Sequence, residues 1–151
     1  MNTLKDTINA DLKSAMLARD TLKTQTIQGL KAAILNEEVA KKLRDSGLDD
    51  AAIEQLIARE CKKRDEAAAL FERGGNAESA AKERAEKGIL AAYLPEQMSE
   101  TDIMAVVDAA IDEIKPEGMK DMGRVIGAVK AKTGNAADGA LIAKLVKEKL
   151  Q

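Results

Sequence analysis

The feature that most constrains the fold of this chain is the spacing of its apolar residues. They recur three or four positions apart in one segment after another along the 151 residues, which places them on one face of an α-helix. The composition supports helices over strands, because the core is made of aliphatic residues with one Phe, one Tyr and no Trp. We find no strand candidate, internal repeat or low-complexity segment. The sequence therefore predicts an all-α protein.

Helix boundaries are marked by capping residues and by breaks in the apolar pattern. Residues suited to a helix N-cap precede successive periodic segments; they are Thr3, Asp20, Asp49, Asn76, Ser99 and Asp121. The pattern breaks at Ala18–Arg19, Ser46–Gly47, Gly74–Gly75, Pro95, residues 115–118 and residues 135–138. These signals predict seven helices, with the second running to about Arg44.

The predicted helices divide into two groups at Leu94-Pro95-Glu96. Residues 1–95 contain about four longer helices, which we expect to form an N-terminal bundle. Residues 96–151 contain three shorter ones, which we expect to form a smaller C-terminal domain. Several inward-facing positions follow from the spacing. In the N-terminal half they include Met16, Val39, Phe71, Ala81, Ala85, Ile89, Ala92 and Tyr93.

The composition argues against several function classes. No apolar run approaches the roughly 20 residues of a membrane span, and the N-terminal residues carry no apolar signal core, so we expect a cytoplasmic protein without membrane contact. A lone cysteine, Cys61, cannot form an internal disulfide or a multi-thiolate metal site. It is either a thiol inside a helix core or a nucleophile activated by the cations after it. With no histidine in the chain, the second alternative lacks its usual base. We expect no metal, no cofactor and no catalytic residue.

Small residues form a stripe in the segment GRVIGAVKAKTGNAADG. Gly123, Gly127 and Ala131 lie four residues apart and therefore share one narrow helix face. Such a face lets another backbone approach closely, although each glycine costs the helix roughly 1 kcal/mol relative to alanine. Gly123 and Gly127 are predicted to pack against a neighbouring helix of the C-terminal domain. The alternative is the close approach of a ligand backbone, such as a sugar-phosphate chain.

Charge is distributed unevenly in the C-terminal part of a chain whose formal net charge is −2. Residues 96–118 carry seven acids and one cation, whereas residues 119–151 carry seven cations and three acids. The last two helices thus present a basic surface, which is either a solvated face or a nucleic-acid-binding surface. No aromatic residue accompanies it, so contact with phosphates rather than base stacking is the expected mode of binding.

Several motifs in this order resemble those of the YqeY family, the stand-alone relatives of the C-terminal tail region of the GatB subunit of tRNA-dependent amidotransferases. They are LKAAILNEE (30–38), KKRDEA (62–67), FERGG (71–75), YLPEQMSE (93–100), KDMGRVIGAVKAKTGNAADG (120–139) and LVKEKL (145–150). The resemblance covers essentially the whole chain. It implies an all-helical fold with an N-terminal bundle and a three-helix C-terminal domain.

The resemblance also implies a link to tRNA and to an amidotransferase. The family label is a carbon-nitrogen ligase with glutamine as amido-N-donor, but neither a Cys–base pair nor the Ser-Ser-Lys arrangement of a glutaminase is present. We therefore predict a tRNA-binding module that is not catalytic by itself, with an amidotransferase or aminoacyl-tRNA synthetase as a possible partner and no DNA expected. The predicted nucleic-acid contacts are Lys120, Arg124, Lys130, Lys132, Gly134, Asn135, Lys144 and Lys147. The alternative is a protein-interaction module that docks a partner or second copy through the N-terminal helices or the Gly123/Gly127 face.

Overall fold

A computed structural model of the protein describes residues 3–151. Within them the chain forms seven α-helices and two short 3-10 turns, at Met119–Asp121 and Gly134–Ala136. The α-helices are α1 (Leu4–Leu17), α2 (Thr21–Ala40), α3 (Asp50–Arg73), α4 (Ala77–Ala91), α5 (Glu100–Ile114), α6 (Met122–Thr133) and α7 (Gly139–Leu150). The all-α class, with four helices followed by three, is confirmed, although α5, with 15 residues, is as long as α4 and longer than α1. No helix in the described residues is long and apolar enough to span a bilayer.

The chain divides into two compact units, Met1–Leu94 and Pro95–Gln151. In the N-terminal unit, α1 to α4 pack around a core that is aliphatic apart from Cys61. Its largest fully buried side chains are Ile8, Ile27, Leu30, Ile53, Ile57 and Leu90. Each helix begins at a side-chain cap of the predicted kind, as at Thr3, whose hydroxyl accepts from the Asp6 N–H while the Asp6 carboxylate accepts from the Thr3 N–H.

In the C-terminal unit, α5, α6 and α7 pack around a second core. Its fully buried side chains are Ile103, Val107, Ala110, Val125, Val129, Ile142, Leu145 and Val146. The segment leading into α5 is fixed to the turn between α6 and α7. The Met98 N–H donates to the Ala136 carbonyl at 2.8 Å, and Gln97 Nε2 donates to the Asn135 carbonyl at 3.1 Å. Two hydrogen bonds therefore join this turn to the segment before α5.

Two sequence predictions about α2 and α4 are wrong. Helix α2 ends at Ala40, not near Arg44, because the backbone turns left-handed at Lys42. In α4 and at the residue just after it, the alanines predicted to face inward (Ala81, Ala85 and Ala92) are exposed, while Ala80 and Leu90 are buried. An alanine-rich helix has little contrast between its faces, so the phase of its buried side could be misjudged by one residue.

Other apolar side chains also lie outside the cores. Met16, Val39 and Phe71, predicted to point inward, are 56%, 54% and 39% exposed. Each lies near the C-terminal end of its helix, where fewer neighbouring elements are available to cover it. The predicted cap Asp121 also acts differently, because its Oδ2 accepts from the Glu117 N–H at 2.9 Å and so holds the turn before α6.

Candidate functional site

The segment from α6 to α7 contains all the residues that the sequence predicts as nucleic-acid contacts, except Lys120 in the turn just before it. Helix α6 ends at Gly134, whose φ of 53° and ψ of −137° form a conformation open to glycine but strained for other residues. Asp138 then caps α7, with its Oδ1 accepting from the Ala140 N–H at 3.4 Å. Gly134 and the Asn135 carbonyl thus have structural roles, while their contact with nucleic acid stays a prediction.

The glycine stripe of α6 faces solvent. Gly123, Gly127 and Ala131 are exposed, whereas Val125 and Val129 fill the core side of the same helix. Apart from the two chain neighbours of each glycine and the backbone of its own helix, no described heavy atom lies within 4 Å of a Cβ placed on Gly123 or Gly127. The prediction that these glycines pack helices within the domain is therefore wrong. The stripe is an uncovered surface that another molecule can approach.

Four cations of the basic segment are paired with acids. Lys120 and Arg124 bridge to Glu117 and Asp121, the residues three positions before them. Lys132 and Lys149 reach acids of α5, with Lys132 Nζ 3.7 Å from Glu113 and Lys149 Nζ 3.1 Å from Asp108. Most of these side chains are well exposed, so each pair contributes at most about 1 kcal/mol and can open. Even so, the acids compete with phosphate for these four cations.

Three lysines of the same segment remain available. In residues 3–151, Lys130, Lys144 and Lys147 have no carboxylate partner, and all three are exposed. Lys130 extends from α6 across the start of α7, where a Cβ on Gly139 would lie 3.4 Å from its Cε. Lys144 and Lys147 are three residues apart and share one face of α7. The basic surface is therefore smaller than the sequence predicts.

Cys61 lies in the core of the N-terminal unit. It is 6% exposed, and its thiol contacts the Lys87 carbonyl at 3.9 Å. Burial raises the pKa of this thiol, and that effect exceeds the opposing effects of Lys87 and Arg64. A buried thiol with a raised pKa is a poor nucleophile, so the helix-core alternative is the one that fits. Across the described residues, no three Cys, Asp or Glu side chains are grouped to hold a metal ion.

A cleft between α1 and α2 was missed by the sequence analysis. It is lined by Lys5, Lys31, Glu38 and Arg44 together with apolar residues. Glu38 is almost fully buried and is bonded to Lys5. One sequence signal could have revealed it, because position 38 continues the stripe of Ile27, Leu30 and Ile34 at helical spacing. A carboxylate on an apolar stripe indicates a buried charge with a partner.

Residues 5–150 match the model of the Yqey-like protein family, YqeY. The chain belongs to the YqeY family. The resemblance noted from the sequence is thereby confirmed. A segment of 73 residues is also 41% identical to the E subunit of glutamyl-tRNA(Gln) amidotransferase from Thermococcus gammatolerans (strain DSM 15229 / JCM 11827 / EJ3). That segment is 48% of this YqeY chain and 11% of the relative, so the chain spans only a small part of that protein. The relative is an E subunit, whereas the sequence motifs resemble those of the GatB tail.

Proposed function

We propose that this YqeY protein is a non-catalytic tRNA-binding module that acts with a tRNA-dependent amidotransferase or an aminoacyl-tRNA synthetase. Support comes from the family, from the relative whose name is that of a glutamyl-tRNA(Gln) amidotransferase component, and from the basic surface of α6 and α7. The single cysteine is in keeping with a cytoplasmic location.

The observation that carries the proposal is the uncovered stripe of α6 in the same segment as unpaired lysines. Gly123 and Gly127 leave the helix backbone open to approach. Lys130, on α6 itself, and Lys144 and Lys147, on α7, supply positive charge that no carboxylate of residues 3–151 neutralises. A sugar-phosphate chain needs both close approach and phosphate pairing. Without aromatic side chains on this surface, recognition depends on the backbone rather than on stacked bases.

The test is a titration of fluorescently labelled bulk tRNA with the purified protein, read by anisotropy at two salt concentrations. If the three unpaired lysines each neutralise one phosphate, log affinity falls with log salt with a slope of about 2 to 3. Between about 50 and about 200 mM salt, the affinity then falls roughly 20- to 40-fold. Absence of binding at low salt, or binding that salt does not weaken, would refute the proposal.

Matched variants distinguish an effect of the unpaired lysines on tRNA binding from an effect of net charge. The variant Lys130→Ala, Lys144→Ala, Lys147→Ala removes the three unpaired cations, and Lys120→Ala, Lys132→Ala, Lys149→Ala removes three paired ones. Both lose the same formal charge. The first should lose most of the salt dependence, because each lost phosphate contact lowers the slope by about 0.7 to 0.9. The second should lose clearly less, and equal losses would mean that only overall charge matters.

A second candidate function is docking of a protein partner, favoured by apolar side chains that the N-terminal unit leaves exposed. Met16 and Leu17, at the end of α1, are 56% and 77% exposed. The variant Gly127→Leu tests docking through the α6 face, because Gly127 is exposed and a Cβ placed there has open space around it in the described residues. If Leu17→Ser abolishes binding of a protein partner and Gly127→Leu does not, docking is assigned to the N-terminal helices.

Absence of catalysis is part of the proposal and can be tested directly. The purified chain should not form amide on mischarged tRNA with glutamine as donor. Glutamine-dependent turnover above the buffer control by the chain alone would contradict the proposal. In that case, the same assay with each lysine variant would locate the activity.

A further inference from the structure

A cleft of about 400 Å³ opens between α1 and α2, and the proposed function makes no use of it. Its apolar lining consists of Ile8 on α1 and of Ala32, Ile34 and Leu35 on α2, of which Ala32 and Leu35 are exposed. Ile8 and Ile34 belong to the buried core, whereas Leu35 is 48% exposed at the mouth. A cleft of this size and polarity is of the kind that holds small molecules.

Charged side chains at the cleft are not balanced. Lys5 is bonded to Glu38, the lone acid among the lining residues, at 2.8 Å. Lys31 and Arg44 also line the cleft, and no carboxylate of residues 3–151 pairs with either. Two cations outside the lining, Lys41 and Arg59, are by contrast paired with a carboxylate, that of Glu37, at 2.8 and 2.6 Å. The cleft therefore combines an apolar wall with two uncompensated positive charges.

The ion pair of the half-exposed Lys5 with the buried Glu38 forms one side of this cleft. Glu38 is 2% exposed, and Gly47 of the α2–α3 loop closes over it in a left-handed conformation with φ of 78°. A Cβ on Gly47 would lie 3.6 Å from Glu38 Oε2 and 3.7 Å from Lys5 Nζ. The same loop carries Arg44 to the cleft. Its guanidinium suits the planar carboxylate group, which it can bind through two parallel hydrogen bonds.

We propose that this cleft binds a small aliphatic carboxylate. The apolar body of the ligand contacts Ala32 and Leu35, the exposed apolar residues of the lining, and its carboxylate compensates the charges of Lys31 and Arg44. Neither part suffices alone, because an exposed ion pair is weak in water and a short alkyl chain buries little area. The proposal concerns the N-terminal unit and is independent of tRNA binding by α6 and α7.

The test is an NMR titration of the ¹⁵N-labelled full chain with hexanoate, compared with 1-hexanol and with acetate. Hexanoate should give saturable shifts in the amides of Lys5, Asn9 and Leu35, which line the cleft. The neutral alcohol and the shorter acid should each bind at least about fivefold more weakly. Shifts that do not saturate, that appear at lysines throughout the chain, or that 1-hexanol reproduces equally well would overturn the proposal.

Variants at exposed positions keep the test free of unfolding. Lys31→Gln and Arg44→Gln should each weaken hexanoate binding about fivefold, while Lys13→Gln, an exposed charge on α1 outside the lining, should not. Leu35→Asn should abolish saturable binding, and Val39→Asn, similarly exposed on the same helix but outside the lining, should not. Equal effects of Lys31→Gln and Lys13→Gln, or of Leu35→Asn and Val39→Asn, would refute a specific site. Each variant is first shown to keep the native spectrum.

Discussion

The ammonium group of Lys5 donates hydrogen bonds to both carboxylate oxygens of Glu38, at 2.8 Å to Oε1 and 3.2 Å to Oε2. The two side chains differ in exposure, with 44% for Lys5 and 3% for Glu38. Removing Lys5 and removing Glu38 therefore affect the stability of the protein differently. Without Lys5, a buried carboxylate loses the donor of both hydrogen bonds, whereas without Glu38 the lysine can turn to water.

We therefore predict unequal effects of substitution on the stability of the N-terminal unit. Lys5→Met should lower the free energy of unfolding by about 1 to 3 kcal/mol, and Glu38→Met should lower it by less. The double variant should recover much of the loss of Lys5→Met. Urea unfolding followed by the fluorescence of Tyr93, the one tyrosine in a chain without tryptophan, reports on this unit.

The control for this prediction is the exposed pair of Arg59 and Glu37, in which Arg59 is 55% exposed. Arg59→Met should cost no more than about 1 kcal/mol, because exposed pairs contribute little. If Glu38→Met destabilised the unit more than Lys5→Met, the buried carboxylate would not be the reason for the effect.

The second prediction concerns alkaline pH. The Tyr93 hydroxyl donates to Asp11 Oδ2 at 2.6 Å, and its pKa is raised, first by burial and then by this carboxylate. Tyrosine in the unfolded chain has a pKa of about 10. The contribution of the Tyr93–Asp11 hydrogen bond to the free energy of unfolding is therefore fully present below about pH 10. It is lost as pH rises further toward the folded-state pKa of Tyr93.

Comparison with Tyr93→Phe isolates this effect. At neutral pH the variant should be less stable by about 0.5 to 1.5 kcal/mol, the usual contribution of one hydrogen bond. Above about pH 10 the difference should shrink, because only the natural chain has to keep a phenol neutral in order to stay folded. Denaturant unfolding followed by circular dichroism measures both. A difference that does not change with pH would contradict the raised pKa.

The third prediction uses the thiol of Cys61. Because it is 6% exposed and burial raises its pKa, reaction with a thiol reagent should be far slower in the native protein than in the unfolded chain. The rate should rise steeply in denaturant at the unfolding transition of the N-terminal unit. Fast reaction of the native protein at neutral pH would instead indicate that Cys61 is an accessible nucleophile.

Much of the fold could be predicted from local signals, because capping residues and apolar stripes act within a few residues of themselves. The caps at Thr3, Asp49 and Ser99 are examples, each with its side chain bonded to an N–H in the first turn. Prediction failed where local contrast was low, as in the alanine-rich α4. It also failed at Val39, where the spacing was right but no neighbouring element covers the side chain.

The site was harder to predict than the fold, because it depends on contacts between segments. Spacing placed Gly123 and Gly127 on one face, but could not say whether that face meets a helix or solvent. The pairing of Lys132 with Glu113 and of Lys149 with Asp108 joins different helices and cannot be read from a charge count. The Lys5–Glu38 pair joins α1 to α2 across 33 residues, so only the folded bundle reveals the cleft.

The final prediction contrasts two glycines of the C-terminal unit. Gly127 lies inside α6 in open surroundings, so Gly127→Ala should raise the free energy of unfolding by about 0.5 to 1 kcal/mol through helix propensity. Gly134 has a positive φ of 53° with ψ of −137°, so Gly134→Ala should lower it by about 1 to 3 kcal/mol. Native-state hydrogen exchange of the buried Val125 and Val129 amides measures both within this unit.

Gly127→Ala also tests the function of the α6 stripe. Gly127→Ala should stabilise the unit and yet weaken tRNA binding, because the added methyl group stands where the ligand backbone approaches. Gly88→Ala is the matched control, since Gly88 is another helical glycine in open surroundings but lies in the N-terminal unit. It should stabilise its own unit and leave tRNA binding unchanged. If Gly127→Ala stabilised the protein and bound tRNA normally, the open stripe would not be the contact surface, and binding would be assigned to the lysines alone.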